Sequence, residues 1–269
     1  AQQKTFQYYE CVQDEEIMAE ICRRLDTEHG QESPQEVYDT MLRSGLGFGW
    51  EELKEKGFYQ PEFKWHKYEE NGFNTPTRKI ELYATQLADM GYDPLPSFEE
   101  PPESPYSTPE LAEEYPFILI TGARIPMFFQ SEYRQLPQLR KGRREPECEL
   151  NPETAAALGV SNGDWVSIET PRGKCRQKVK IFDGIDPRVV HAQHGWWFPE
   201  EEEGPDHGNW RSNANTLTSM EPPYCSAMGT YQLRALLCKI VKAEDADIPW
   251  RPPIPERYDS NVADVQEWK

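Results

Sequence analysis

The sequence predicts a mainly β fold with some helix: a closed β-barrel with insertions, preceded by a helical segment. Short apolar or alternating runs at 117–120, 165–170, 174–181, 188–192 and 233–241 recur between strong turn signals. A single short helical pattern, 152–158, interrupts them. Before residue 93 the apolar residues fall at helical spacing instead.

The first helix starts at Asp14-Glu15-Glu16 and ends at Arg23-Arg24, with charges that suit the helix dipole. Its stripe is Ile17, Met18, Ile21, Cys22 and Leu25, and Gly30 is its expected stop. Ser33-Pro34-Gln35-Glu36 is a capping box with proline at the first helical position. Val37, Tyr38, Met41 and Leu42 are the expected buried face of that second helix. A third helix runs from Trp50 to Lys56 and stops at Gly57. The connection from Gly57 to Thr77 is irregular, and residues 93–109 are proline-rich, acidic and without periodicity, which reads as a linker.

The barrel region begins with the continuous apolar run 117–120, the pattern of a strand buried on both faces. Asn151-Pro152-Glu153 caps a helix that Gly159 ends. Strands 165–170 and 174–181 are joined by Pro171-Arg172-Gly173, a hairpin signal. In the second of them Cys175, Gln177, Val179 and Ile181 face one way, and Lys174, Arg176, Lys178 and Lys180 form a solvated face. Asp183 to Pro187 is a turn before strand 188–192, and the last strand is 233–241. The resulting division is a helical segment over residues 1–92, a linker over 93–109, a barrel domain over 110–245 and a proline-rich tail over 246–269.

Composition excludes several functions. The 269 residues contain 37% apolar and 12% aromatic residues, enough for a core, with no run of membrane-spanning length. A formal net charge of −18 argues against nucleic acid, whose binding needs basic surface. It does not exclude a small phosphate ligand held at a local positive site. The six cysteines contain no C-x-x-C pair, so an iron–sulfur or structural zinc site within the chain is not expected, and reduced, mostly buried thiols are. No signal peptide is read at Ala1, and the chain is read as a fragment.

Several segments do not read as ordinary core. Thr121-Gly122-Ala123-Arg124 ends a strand on a glycine turn, where backbone N–H groups approach a ligand and Arg124 offers a bidentate fork. Phe128, Phe129, Gln130 and Ser131 follow, then the basic cluster Arg134, Arg140, Lys141, Arg143, Arg144, read as a solvated loop. His191 and His194 lie at an odd offset, which on a strand sends them to opposite faces and disfavours a shared metal. Trp196 and Trp197 follow Gly195, and Glu200 to Glu203 read as a solvated acidic loop. Asn213, Asn215 and Thr218 sit in an asparagine-rich turn whose amides suit the edge of a heterocycle. No triad, Walker loop or G-x-G-x-x-G is present.

In order along the chain, ITGARIPMFFQSEYRQ (120–135), HAQHGWWFPE (191–200) and SNANTLT (212–218) resemble the C-terminal domain of molybdopterin oxidoreductases of the dimethyl sulfoxide reductase family. The resemblance covers about Tyr115 to Ala243. The HGWWFPE form is most like the branch that contains acetylene hydratase and pyrogallol transhydroxylase. The resemblance implies a six-stranded barrel of double-psi type with interlocked loops. It implies molybdopterin guanine dinucleotide as cofactor, with contacts from Thr121, Gly122, Arg124, Phe129, Gln130, Ser131, His194, Gly195, Trp196, Trp197, Asn213, Asn215 and Thr218. His194-Gly195 would form a backbone turn beside the cofactor, the two tryptophans would stack on the pterin or wall the substrate funnel, and the asparagines would bond the pterin. Many relatives carry histidine near Phe129, where this chain has aromatics, which argues against proton transfer at that loop. GFNTPTRKIELYA (72–84) resembles a family stretch whose usual glycine is here Arg78, which argues against a tight turn there. The family's iron–sulfur cysteines and protein ligand to molybdenum have no counterpart here, so neither a catalytic residue nor a metal ligand is assigned. Residues 1–92 are then the tail end of a larger catalytic region, and the implied partners are the rest of that chain and an iron–sulfur electron-transfer subunit. The resemblance leaves substrate, metal and compartment open. The competing reading is a stand-alone small β-barrel that binds a partner protein and carries no metal.

Overall fold

The computed structural model describes residues 9–25, 27, 32–122, 124–200 and 207–243, and the chain divides into two compact units, Ala1–Leu82 and Tyr83–Lys269. The proline-rich tail 246–269 and Gly30 lie outside the described residues.

In the first unit, α1 (Asp14–Arg24) begins on three acids and ends on two arginines. α2 (Pro34–Leu46) starts on the expected box: Ser33 Oγ accepts the Glu36 N–H and the Glu36 carboxylate accepts the Ser33 N–H. α3 (Trp50–Lys56) is tied to α2 because the Trp50 N–H donates to Asp39 Oδ1 at 2.6 Å. α4 (Lys67–Asn71) follows. The buried helical faces expected from periodicity are not buried: no residue of α1 to α4 is, and Met18 and Met41 are 58% and 62% exposed. Periodicity reports which face is apolar, not what covers it.

The tight turn argued against at Arg78 is present. Arg78 takes φ +60°, its N–H reaches Thr75 O at 3.1 Å, and its carbonyl accepts the Phe73 N–H at 2.9 Å. A side chain on Gly72 would lie 2.7 Å from that carbonyl, so the glycine the turn requires has its place at 72 and Arg78 carries the left-handed conformation itself.

In the second unit, α5 (Thr85–Asp89) and α6 (Pro109–Glu114) precede the barrel. The segment 93–109, expected as a linker, is docked rather than free. Glu103 Oε1 accepts the Leu237 N–H at 2.6 Å, its other oxygen pairs with Arg172, and its backbone exchanges hydrogen bonds with the Gln232 side chain. One carboxylate thus fixes a stretch without periodicity.

The barrel strands are β1 (Phe117–Thr121), β2 (Glu147–Leu150), β3 (Trp165–Thr170), β4 (Gly173–Ile181), β5 (Val189–Ala192) and β6 (Leu236–Lys242). They close in the order β1-β5-β2-β4-β3-β6, six strands with β1∥β5 and β2∥β4 and the other four pairs antiparallel. α7 (Pro137–Arg140) lies between β1 and β2, and α8 (Pro152–Leu158) between β2 and β3, capped by Asn151 and stopped by Gly159 as expected. α9 (Asn209–Ser212) and a 3-10 turn (Ala214–Leu217) lie between β5 and β6.

The core follows the period of two: Cys148 and Leu150, Val166 and Ile168, Cys175 and Val179, Val190 and Ala192, Leu236 and Cys238 are buried. Only Leu119 of β1 is fully buried, and Ile181 is 38% exposed. The outward cations of β4 meet acids on the neighbouring β2 segment, Lys180 with Glu149 at 2.7 Å and Lys178 with Glu145. Apolar runs do not mark β2, because two glutamates dilute a four-residue strand. Its alternation, Glu147 and Glu149 outward against Cys148 and Leu150 inward, is the available signal. β6 starts at Leu236, three residues later than its apolar run, because Ala235 takes φ +58° and breaks the extended backbone.

The six cysteines form no disulfide, with Cys148, Cys175 and Cys238 buried and Cys11 and Cys225 exposed. Burial pushes the Cys175 thiol up to about 12 and raises the other two core thiols as well. We expect a thiol reagent at pH 8 to modify Cys11 and Cys225 in the native protein and to reach the three core thiols only after denaturation. Peptide mapping of the labelled sites checks this, and native labelling of Cys175 at the rate of Cys225 would contradict the barrel core.

Candidate functional site

Strand direction gathers the suspect segments at one end. β1 and β5 run parallel, with Thr121 beside Ala192, so both leave the barrel on the same side. The antiparallel neighbours β6, β3 and β2 place the start of β6, the end of β3 and the start of β2 on that side too. The connections 122–146 and 193–235 and the β3–β4 hairpin therefore emerge together. The sequence-predicted residues from Thr121 to Thr218 all sit on these loops or at their roots.

The loop after β1 turns back at Phe129-Gln130-Ser131-Glu132, where the Glu132 N–H bonds Phe129 O at 2.8 Å and Gln130 takes φ +54°. Phe128 points into a small apolar cluster with Ile125 and Trp196, while Phe129 is 60% exposed and Gln130 and Ser131 are exposed beside it. The turn after β5 packs against this loop. Gly195 takes φ +70°, and a side chain there would come within 3.0 Å of Gln130 O, so the close approach requires glycine. His194 Nε2 lies 2.6 Å from Gln130 Oε1, and Trp197 Nε1 donates to Ser131 O at 2.6 Å. The two loops are thus one structure, and a half-buried Trp197 also meets His207 edge-on at 5.7 Å.

Two buried glutamines fasten that structure to the barrel. Gln177 Nε2 donates to Gln193 O at 2.7 Å and Gln177 Oε1 accepts the Gln193 N–H at 3.0 Å. Gln193 Oε1 in turn accepts from Trp196 Nε1 and from the Glu147 N–H. Gln177, expected on the inner face of β4, is the polar member that the core keeps because every one of these bonds is made.

At the root of β1, Thr121 Oγ1 donates to Leu233 O at 3.2 Å. Gly122 takes φ +93°, with the Arg234 guanidinium 3.3 Å from where a side chain would begin. Arg124 is exposed, and Ala123 lies outside the described residues. The third segment is held against the β3–β4 hairpin: Thr170 Oγ1 donates to Leu217 O and Thr216 Oγ1 to Lys174 O. Within it Asn213 and Asn215 divide their work. Asn213 Oδ1 caps the 3-10 turn by accepting the Asn215 N–H at 2.9 Å, and Thr218 Oγ1 bonds Asn215 O at 3.2 Å. The Asn215 side chain is exposed and makes no hydrogen bond among the described residues.

Three expectations need correction. Trp196 is fully buried, its ring faced by Arg134 at 4.1 Å and edged by Phe128, so it is a strut of the site and not a stacking surface. The basic cluster is not uniformly solvated, because Arg134 and Arg140 are 1% and 4% exposed. Glu200 is likewise no member of a solvated acidic run; it pairs with Arg140 at 2.6 Å with both side chains 5% exposed. Residues 201–203 lie outside the described residues. His191 is buried 3.1 Å from Glu149, and no group of side chains suited to hold a metal occurs among the described residues. The burial of Arg134 is what sequence reading missed: Gly195, His194 and Trp196, which it packs against, are about 60 residues away, and a charge run gives no sign of burial.

The arrangement offers exposed amides at Gln130 and Asn215, an exposed guanidinium at Arg124, glycines at close-approach positions, and a His194 Nδ1 that is buried without a partner among the described residues. Such a donor-rich surface between loops, free of any metal cage among the described residues, fits a large polar cofactor gripped from one side.

A closed six-stranded barrel with its polar loops at one end defines a cofactor-cradling domain. Residues 117–235 match the model of the molydopterin dinucleotide binding domain, and the barrel unit belongs to that family. The chain is 38% identical to dopamine dehydroxylase from Eggerthella lenta over 67% of this chain and 18% of that protein. It is 40% identical to acetylene hydratase from Syntrophotalea acetylenica over 61% of this chain and 23% of that protein. The solved acetylene hydratase from Pelobacter acetylenicus matches with a TM-score of 0.71 and 31% identity, covering 87% of this chain and 33% of that one. The chain therefore spans a third or less of each of these relatives.

Two outcomes follow from this geometry. Burial, reinforced at His194 by Arg134 and Arg124, holds His191 and His194 below the ordinary histidine value. The unfolded chain then takes up protons below about pH 6.5 that the folded chain refuses, so stability falls as pH drops through and below that value. Denaturant midpoints at pH 7.5 and 5.5 should show the loss, and His194→Gln should shrink it; an equal loss in the variant would remove His194 as a source. Asn213→Ala should cost about 0.5–2 kcal/mol by removing the cap, read as a lower denaturation midpoint.

Proposed function

We propose that this chain is the cofactor-cradling portion of a molybdenum or tungsten enzyme of the dimethyl sulfoxide reductase family, which carries bis-molybdopterin guanine dinucleotide. The observation that supports it most is the assembly of three separate polar loops at one barrel end, within the region that matches the dinucleotide-binding family. In this reading the β1 exit, Thr121, Gly122 and Arg124, approaches the anionic portion of the cofactor through backbone and guanidinium donors. Phe129, Gln130 and Ser131 present an exposed ring and polar groups to it. His194 and Gly195 shape the turn beside it, with Trp197 as the flat wall. Asn215 faces it with a free amide, while Asn213 and Thr218 hold that amide in place.

When bound, the metal and its sulfur ligands supply the redox or hydration chemistry. The protein residues described here bind and orient. Likeness to acetylene hydratase and dopamine dehydroxylase favours an anaerobic oxidoreductase or a hydratase- or transhydroxylase-like reaction. The partners in this reading are the remainder of the catalytic polypeptide and an iron–sulfur electron-transfer subunit. No helix among the described residues is long and apolar enough to cross a membrane. The stand-alone binding module loses ground because the loop end resembles a cofactor cradle in the family that the barrel belongs to.

The test is composition. The full-length protein should release guanine nucleotide on denaturation and contain molybdenum or tungsten, and correctly assembled protein with neither sinks the reading. Asn215→Leu should lower nucleotide content by removing hydrogen bonds, on the order of 1–3 kcal/mol, with the thermal midpoint unchanged. Lower stability with full nucleotide content would make Asn215 a turn residue only.

A further inference from the structure

Arg134 is buried and has no carboxylate partner among the described residues, an arrangement costly enough to need a reason. Burial, with Arg140 nearby, pushes its guanidinium down to about 9. Its compensation is local: the rings of Phe128 and Trp196 lie 4.4 and 4.1 Å from its central carbon. Its hydrogen bonds go to three peptide carbonyls, Gly195 O at 2.6 Å, Gln130 O at 3.1 Å and His194 O at 3.3 Å. An apolar side chain would fill the space without the charge. What it would not do is fix those carbonyls.

In a trans peptide the carbonyl and the following N–H point in opposite directions. Drawing the carbonyls of Gln130, His194 and Gly195 toward Arg134 therefore turns the N–H groups of Ser131, Gly195 and Trp196 away from it. None of these three N–H groups has an acceptor among the described residues. Ser131 N lies 3.1 Å from the side-chain position of Gly195, so donors of the two loops sit side by side. Gln130 at φ +54° and Gly195 at φ +70° supply the left-handed residues that make successive amides concave toward an anion.

We propose that Arg134 is a positioning residue, which by holding these carbonyls presents the N–H groups of Ser131, Gly195 and Trp196 as a donor set for an anionic group of the cofactor. The proposal rests on the function proposed above. Arg134 itself does not touch the ligand; its charge and its grip act through the two loops.

The experiment compares the full-length wild-type protein with R134M and R134K. Three quantities are read: guanine nucleotide released per chain, thermal midpoint, and hydrogen exchange of 129–134 and 193–198 against β3 and β4. R134M should carry about tenfold less nucleotide, the scale of supporting residues around bound cofactors, with faster exchange in the two loops and unchanged strands. R134K keeps the charge but cannot span three carbonyls, so it should lose about threefold and keep the wild-type midpoint. Wild-type nucleotide content in R134M overturns the proposal, as does loss of strand protection together with nucleotide, which marks a plain core strut. Should R134M not fold, R134K decides: reduced content at an unchanged midpoint supports the proposal, and full content or a lowered midpoint overturns it. Wild-type protein without nucleotide would falsify the proposed function itself, whereas loaded wild type with insensitive variants removes only the role of Arg134.

Discussion

The parallel pairing of β1 with β5 is the constraint on which the site depends. Antiparallel strands joined in sequence alternate their loops between the two ends of a barrel. Here β1, β3 and β5 run one way and β2, β4 and β6 the other, and the parallel pairing makes two exits at the same end, one after Thr121 and one after Ala192, immediate neighbours. Everything described at the loop end follows: the Gln130 turn can meet the Gly195 turn only because their strands emerge next to each other. Barrel closure then makes the shared end rigid, since no strand is left with a free edge.

Rigidity reaches the loops through polar groups rather than through core packing. The inward face of β4 carries Gln177 among apolar neighbours, and its amide holds the backbone of Gln193 just beyond β5. From Gln193 the chain of contacts passes to Trp196, then to Arg134 and Phe128. Buried amides of this kind are stable only when all their partners are in place, so the network specifies one loop arrangement more sharply than an apolar contact would. The indole of Trp196 belongs to this network, which is why so large an aromatic residue in a conspicuous motif is found inside.

What was legible in the sequence was local. The Ser33 box, the Asn151 cap with its Gly159 stop, and the hairpin at Pro171-Arg172 depend on residues within a few positions of each other. The family motifs indicated which loops matter, and strand directions explain why they converge. Less legible were features set at long range. β2 is four residues of mixed character whose partners, β4 and β5, come later in the chain. The burial of Arg134 depends on Gly195, 61 residues away, and the burial of Glu200 on Arg140, 60 away. Arg78 shows the opposite limit: a local rule about glycine was sound, yet the turn forms because Gly72 leaves room for it.

The far end of the barrel has a consequence of its own. There the connection from β4 to β5 is the short turn around Asp183-Gly184, exposed at its tip and pinned at its base, where Asn151 Nδ2 donates to Ile185 O at 2.7 Å. Among the described residues no hydrogen bond or ion pair joins Asp183 or Gly184 to the loops that hold the candidate site, and the closed sheet lies between the two ends. A peptide epitope or a fluorophore carrier spliced between Asp183 and Gly184 would be reported on from outside while the opposite mouth stays as it is. The same topology that concentrates recognition on one rim leaves the other as a handle for tethering, labelling or immobilising the protein.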